Sequence, residues 1–396
     1  MILKKIILGN FRNYEALELD FNNKFNFIHG NNGHGKTNIL EAVSFISYGK
    51  SFLGSGEPDC VRFKAGGFNI FGEYENELEN LQYVSADYDL ETRRKTYHIN
   101  KESISSISSS LFGKFPVVFL SPHSLNITYG NPSERRRFFD ILISQTSKVY
   151  LDDLKKLVKI LKQKNALLKN EGRHMRGESR GVLDTYNEKL AETSARIILK
   201  RLDFLNEFKE LLGKNFSFLV PNGNHGYINY FSDITGEIEY KDFDKYSHEI
   251  LTARSENLIA EKTGQEIDRG LSLIGPQRDD YLFKLEKDDD AHNSTDIFDL
   301  KNHASQGEHK TFIVALKLSE FDYLKNKKNT YPVLLLDDIL SELDAERVSK
   351  IISHLKDFGQ IFLTTIEENY LEDIKKMYNN DEISVFKVSN GNVSYN

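Results

Sequence analysis

Eight consecutive residues, Gly30-Asn31-Asn32-Gly33-His34-Gly35-Lys36-Thr37, fit the pattern Gly-x4-Gly-Lys-Thr, whose chemistry is the wrapping of a phosphate chain. Glycine is needed there because a backbone without a Cβ lets N–H groups come close to an anion, and the N-terminus of the following helix adds its dipole. Lys36 is placed to meet β and γ oxygens, and the Thr37 hydroxyl to hold Mg²⁺. The surroundings agree. Phe25, Phe27 and Ile28 make a β-prone run before the loop, and Ile39, Leu40, Val43 and Ile46 recur at helical spacing after it. The order strand, glycine loop, helix points to ATP with Mg²⁺ as the ligand.

A phosphate loop alone does not hydrolyse ATP; a carboxylate at a second strand end is required. Val333-Leu334-Leu335-Leu336-Asp337-Asp338 supplies it, with Asp337 expected to reach Mg²⁺ through its water shell and Asp338 to position or deprotonate water. The bland alternative is a pair of acids capping the next helix. Ser341-Glu342-Leu343-Asp344 continues the pattern. Lys36, Asp337 and Asp338 are thus the expected catalytic set. A third feature, Ser305-Gln306-Gly307-Glu308-His309-Lys310, precedes a helix whose inner side carries Phe312, Ala315, Leu316 and Leu318. A serine hydroxyl and glycine N–H groups at a helix start make an anion site, although in isolation they read equally well as a helix cap. Their place about 30 residues ahead of the aspartate pair favours the anion site.

The elements that must hold these groups divide along the chain. Short strands and turns fill the region to about residue 120, including Pro116-Val117-Val118-Phe119-Leu120. From about Ser133 the pattern is helical: Leu151, Leu154, Val158, Leu161 and Leu168 form one series, with Asn165 at a seam position, and Leu183, Leu190, Ile197, Phe204 and Leu211 repeat every seven residues. Gly172-Arg173-His174-Met175-Arg176-Gly177 between them reads as a turn, which predicts an antiparallel hairpin with arms of roughly 30 to 45 Å at 1.5 Å per residue. Residues 222–268 mix signals. Leu271-Ser272-Leu273-Ile274 reads as a strand and Lys287 to Asp299 as an acidic loop. The continuous apolar run Pro332 to Leu336 fits a strand of a parallel sheet buried on both faces, and Gln360 to Leu363 a further strand. The expected fold class is α/β. A nucleotide-binding head with a mixed sheet is split in sequence by a mainly helical insertion, with boundaries at 1–130, 131–270 and 271–396.

Composition narrows the classes. With 39% hydrophobic and 28% charged residues in 396, the chain is that of a globular protein, and no run approaches the roughly 18 to 20 apolar residues of a membrane span. The opening MILKKIILGN is too short for a signal peptide, and the single Cys60 forms no internal disulfide, so a reducing cytoplasm is expected. Net charge is −7, yet residues 131–201 carry 17 Lys and Arg against 9 Asp and Glu, a local excess of +8. Such a stretch is either a solvated helix face or a footprint for nucleic-acid backbone.

Taken together, these residues resemble the ATP-binding-cassette heads of chromosome-maintenance and repair ATPases, and within that superfamily the RecF family. The resemblance is carried in order by Asn10-Phe11-Arg12-Asn13-Tyr14, the phosphate loop with Asn38, Leu120-Ser121-Pro122, Pro132 with Arg135-Arg136, Lys162 to Lys169, Gly275-Pro276-Gln277-Arg278-Asp279-Asp280, and Leu335 to Asp344. It spans nearly the whole chain and is thinnest between about 210 and 270. Gln277 stands where the family more often has His, and Lys164 where it more often has Arg. Thr364-Thr365 replaces the histidine with which related transporters sense γ-phosphate.

The resemblance implies an ATP-driven homodimer in which Ser305 and Gly307 of one copy close on ATP held by the other, with Arg12 facing nucleotide. Asp338, where many relatives carry Glu, shortens the reach toward water and implies slow, DNA-stimulated hydrolysis. The resemblance further implies double-stranded DNA and single-strand/duplex junctions as ligands, RecR as partner, RecO and RecA in the pathway, and a part in SOS induction. Arg135, Arg136 and Arg137, with Lys155, Lys156, Lys159 and Lys162, are the expected DNA contacts. Three rivals remain. A transporter ATPase would have these motifs within about 200 residues and no long insertion, whereas here about 270 residues separate Lys36 from Ser305. A long-armed or zinc-hook architectural ATPase needs far longer arms or paired cysteines. A nucleotide-regulated interaction protein without DNA contact is compatible with the negative net charge.

Overall fold

A computed structural model describes residues 1–396 except 175, 221–224, 290–293, 341–344 and 396. The chain forms two compact units, Met1–Leu125 with Leu316–Asn396, and Asn126–Ala315. In the first, β1 (Ile2–Phe11), β2 (Tyr14–Asp20), β4 (Gly67–Glu75), β5 (Leu81–Asp89), β6 (Arg94–Ile99) and β7 (Glu102–Ser103) make an antiparallel sheet in the order β2-β1-β4-β5-β6-β7. A second sheet joins the two ends of the sequence. It orders β3 (Phe25–His29), β8 (Val117–Leu120), β13 (Val333–Asp337), β14 (Ile361–Thr365), β15 (Ile383–Ser389) and β16 (Asn392–Tyr395) as β16-β15-β3-β14-β13-β8. Its pairs are parallel except the β15–β16 hairpin.

Parallel strands flanked on both sides bury both faces, so β13 and β14 are apolar runs that end in Asp337 and in Thr364-Thr365, with every position buried. The helix α1 (Lys36–Tyr48) packs against strands of both sheets. That explains why Ile39, Leu40, Val43 and Ile46 are joined in the core by Ala42 and Phe45, leaving the helix buried nearly all round.

The second unit contains α2 (Pro132–Thr146), α3 (Lys148–Glu171), α4 (Glu178–Leu219), α5 (His248–Arg269) and the start of α6 (Gln306–Lys328). It also holds β9 (His225–Ser232), β10 (Gly236–Ile238), β11 (Asp280–Asp289) and β12 (Ser294–Asp299), an antiparallel sheet ordered β10-β9-β11-β12. That sheet moves the second boundary from the expected 270/271 to 315/316, because β11 and β12 complete a ladder begun by β9. In the segment 287–299, read as a loop, the described residues 287–289 and 294–299 belong to the antiparallel strands β11 and β12. Leu271 to Ile274 forms no strand, since side chains take its backbone donors: Asn165 Oδ1 accepts from Ser272 N at 2.7 Å and Glu266 Oε1 from Leu273 N at 2.7 Å.

The helical hairpin is present, but its phase and length differ from expectation. On α3 the buried positions are Tyr150, Asp153, Leu157, Ile160, Lys164 and Leu168, while Val158 is 66% exposed. The apolar pattern pointed one residue away because two of the true seam positions are charged. Both are paired, Lys164 with the equally buried Glu266 at 2.7 Å and the buried Asp153 with the partly exposed Arg196 at 3.2 Å. On α4, Leu183, Leu190, Ile197 and Phe204 are buried as read, but Leu212 then replaces Leu211. A straight helix drifts about 20° per heptad, so four heptads shift the buried face by nearly one residue. The arms have 24 and 42 residues, roughly 36 and 63 Å, so the second exceeds the expected range.

Candidate nucleotide site

The loop and the aspartates arrive at the ends of β3 and β13, two parallel strands of one sheet with only β14 between them. β3 ends at His29 and hands the chain to Gly30, whose φ of +148° and proximity to the Val388 carbonyl, 2.2 Å from where a Cβ would stand, exclude a side chain. Gly33 and Gly35 also have positive φ, +77° and +116°. Gly35 is the last residue before α1, so the loop runs directly into a helix N-terminus.

Lys36 folds back across this loop and donates to the carbonyls of Gly30 at 2.7 Å and Asn31 at 3.2 Å. Burial lowers its pKa, opposed by Asp338 and Asp337. Its present partners are carbonyls, which phosphate oxygens can replace. The Thr37 hydroxyl donates to Asp337 at 2.9 Å (Oδ1) and 3.0 Å (Oδ2), a contact across 300 residues of sequence. Asp337 also accepts from Thr364 Oγ1 at 2.6 Å; burial raises its carboxyl pKa, and the two hydroxyl bonds pull it back. A hydroxyl and a carboxylate meeting beside a phosphate loop form a donor set of hard oxygens, which suits Mg²⁺. Asp338 follows in a left-handed conformation, φ +49°, with its N–H held by the Thr364 carbonyl and hydroxyl, both at 3.1 Å. Thr364, noted in the sequence only for what it replaces, thus fixes both aspartates.

Arg12 is committed elsewhere within this unit. Its guanidinium grips the fully buried Glu41 with Nε and Nη2, each at 2.6 Å, and also donates to Ser55 Oγ and the Asp59 carbonyl. Glu41 sits on α1, one turn beyond Thr37, and sequence reading missed it. Its signal was that it is the one acidic residue of α1.

In the second unit Ser305 and Glu308 cap α6 reciprocally, Ser305 N donating to Glu308 Oε2 at 2.7 Å and Glu308 N to Ser305 Oγ at 3.3 Å. Gly307 lies in the first turn, its carbonyl accepting from Thr311 Oγ1 at 2.8 Å. Within one chain, therefore, the motif is a helix cap. Ser341 to Asp344 lies outside the described residues.

Of the expected DNA contacts, Arg135 is corrected. It is 5% exposed and clamped to Asp280 through Nε (2.7 Å) and Nη2 (2.8 Å), so its charge is spent inside. Arg136 is half-buried and donates to the Asp279 carbonyl at 2.6 Å; desolvation lowers its pKa. Arg137, Lys155, Lys156, Lys159 and Lys162 are exposed, with Lys155 and Lys156 near Asp152 and Asp153 at 3.3 and 3.4 Å. The motif Gly275 to Asp280 is tied inward by the fully buried Arg201, which donates to Asp279, the Pro276 carbonyl, Asp140 and Tyr150. No helix among the described residues is long and apolar enough to cross a membrane.

Comparison with known proteins gives one consistent result. The family model for the RecF/RecN/SMC N-terminal domain matches residues 2–392. The DNA replication and repair protein RecF of Chloroherpeton thalassium is 34% identical, covering 95% of this chain and 98% of that protein. The protein of the same name from Agathobacter rectalis is 35% identical, with 99% of each covered. A structure of the recombination mediator protein RecF with ATP, in the RecFOR pathway, superposes with a TM-score of 0.85 at 29% identity, covering 100% of this chain and 97% of that one. An Smc head bound to the C-winged helix domain of ScpA shares the fold alone, with a TM-score of 0.55 at 14% identity.

Proposed function

The chain belongs to the RecF family, a lineage of DNA replication and repair proteins, and from that membership we propose that it is an ATP-dependent DNA-binding protein of recombinational gap repair. The observation that carries the nucleotide half is the Thr37–Asp337 contact, which joins a glycine loop to a strand-end carboxylate. In this reading Gly30 to Lys36 wrap the phosphates of ATP, and Thr37 and Asp337 hold Mg²⁺, which neutralises phosphate charge when bound. Asp338 orients or deprotonates the attacking water. Its shorter side chain, compared with glutamate, makes hydrolysis slow, so ATP binding itself closes a homodimer and hydrolysis times its release.

The second copy contributes Ser305 and Gly307, whose capping arrangement leaves an anion-binding helix start ready for a partner's nucleotide. Arg12 reaches nucleotide only by leaving Glu41. DNA backbone, at duplexes and at single-strand junctions, is met by Arg136, Arg137, Lys155, Lys156, Lys159 and Lys162. Family membership supports RecR as partner, with RecO and RecA downstream and SOS induction as the physiological setting.

The test is a salt titration of duplex-DNA binding with and without ATP, using the wild type and Ser305→Arg. Wild-type affinity should fall linearly in log–log form with salt and strengthen with ATP. Ser305→Arg should keep ATP binding yet lose the ATP enhancement and the dimer seen by sedimentation. Salt-independent or absent DNA binding under every nucleotide condition would remove the DNA reading, and an unchanged dimer would remove the shared site.

A further inference from the structure

The segment Asn10 to Tyr14 joins β1 to β2 and lies against the phosphate loop. Its backbone is tight. Asn10 and Arg12 both have left-handed φ, +52° and +56°, on either side of the fully buried Phe11. Asn tolerates that region well, whereas Arg12 is held in it by its N–H bond to the Cys60 carbonyl at 2.7 Å and by its side-chain anchors. The turn thereby presents Asn13 and Tyr14 to the loop. Asn13 Nδ2 donates to the His34 carbonyl at 2.9 Å, and Asn13 Oδ1 accepts from Asn38 Nδ2 at 2.8 Å, which settles which way the Asn13 amide faces. The Tyr14 hydroxyl, on a fully buried ring, donates to the Gly35 carbonyl at 3.1 Å. Gly391, in the β15–β16 turn, also donates its N–H to the His34 carbonyl, at 3.2 Å.

These bonds have a directional consequence. In a trans peptide the C=O and the following N–H point to opposite sides of the chain. Pinning the His34 carbonyl outward therefore turns the Gly35 N–H inward, and pinning the Gly35 carbonyl does the same for the Lys36 N–H. We propose that Asn13 and Tyr14 are positioning residues that aim the Gly35 and Lys36 N–H groups at the nucleotide phosphates. The inference deepens the nucleotide reading above and rests on it. It also gives Gly35 a second reason to be glycine: a Cβ would stand 2.5 Å from Asn13 Nδ2 and 2.8 Å from the Tyr14 hydroxyl, so any side chain would displace the residues that aim the loop.

The experiment is an equilibrium titration with ATP, paired with thermal unfolding, on the wild type, Tyr14→Phe, Asn13→Ala and Tyr74→Phe. Tyr74 is a second fully buried tyrosine of this unit, whose hydroxyl bonds Ser47 at 3.1 Å, away from the loop. Tyr14→Phe and Asn13→Ala should each raise the ATP dissociation constant roughly tenfold, the scale of one well-placed hydrogen bond. Tyr74→Phe should leave it within about twofold while lowering the melting temperature as much as Tyr14→Phe does. ATP affinity in Tyr14→Phe that stays at the wild-type value, or falls no further than in Tyr74→Phe, overturns the positioning role. A wild type that binds no ATP overturns the nucleotide reading itself and this inference with it. Should Asn13→Ala fail to fold, Tyr14→Phe, which keeps the ring, decides.

Discussion

Cys60 has no exposed surface; its thiol lies 3.4 Å from the Gly56 carbonyl and 3.8 Å from Glu41 Oε1, and burial, reinforced by Glu41, pushes its pKa up to about 12. At pH 8 only about one folded molecule in ten thousand carries the thiolate, whereas an unfolded chain, with an ordinary thiol pKa near 8.5, carries it in roughly a quarter of molecules. Alkylation of the native protein should be slow and still accelerating at pH 10, and fast after denaturation. A native rate that levels off near pH 9 would show a solvated thiol instead. Because this is the only cysteine, the label reports one place, the contact of the β1–β2 turn with α1. Single residues were legible in the sequence where a motif is local. Gly30 to Thr37 lie together, and their types state their chemistry. Arg135 was not legible, since three adjacent arginines on a helix do not reveal which one turns inward to Asp280.

Elements were legible as helices and strands, but less so in phase. Hydrophobic spacing located α3 and α4, yet placed the α3 seam at Val158 because a pattern of apolar residues has no means of showing a buried ion pair. Lys164 and Glu266 are both 0% exposed, 2.7 Å apart, and burial lowers the lysine pKa against the pull of Glu266. Deleting one member strands the other. Lys164→Ala should cost about 3–5 kcal/mol in denaturant unfolding, and pairing Lys164→Met with Glu266→Leu should recover most of it. On the same helix Leu157→Ala should cost about 2–4 kcal/mol and Val158→Ala within about 0.5. Equal losses at 157 and 158 would restore the phase read from sequence. The same blindness hid the irregular stretch at Leu271 to Ile274, where the side chains of the distant Asn165 and the nearby Glu266 replace a strand partner.

At the scale of the whole chain the sequence disclosed an interrupted head, while the point of return was hidden because β11 and β12 belong to a ladder whose first strand lies more than 40 residues earlier. Of the sheet that carries the phosphate loop, Met1–Leu125 contains only β3 and β8, which are not neighbours; β14 and β13 stand between them. Expressed alone, that fragment should show no cooperative thermal transition. The continuous Asn126–Ala315, with its own sheet and helical core, should show one. A cooperative melt from the first fragment would mean that the antiparallel sheet suffices for the head.

The bond from Gly391 N to the His34 carbonyl sets an order in time. A chain made from its N-terminus exposes the phosphate loop early, but β15 and the Gly391 turn emerge more than 350 residues later, roughly 20 to 70 s at ordinary elongation rates. Until then the loop lacks Asp337, both flanking strands and one of the donors that orient it. The full set of partners around the loop is therefore assembled only after the second unit has been synthesised.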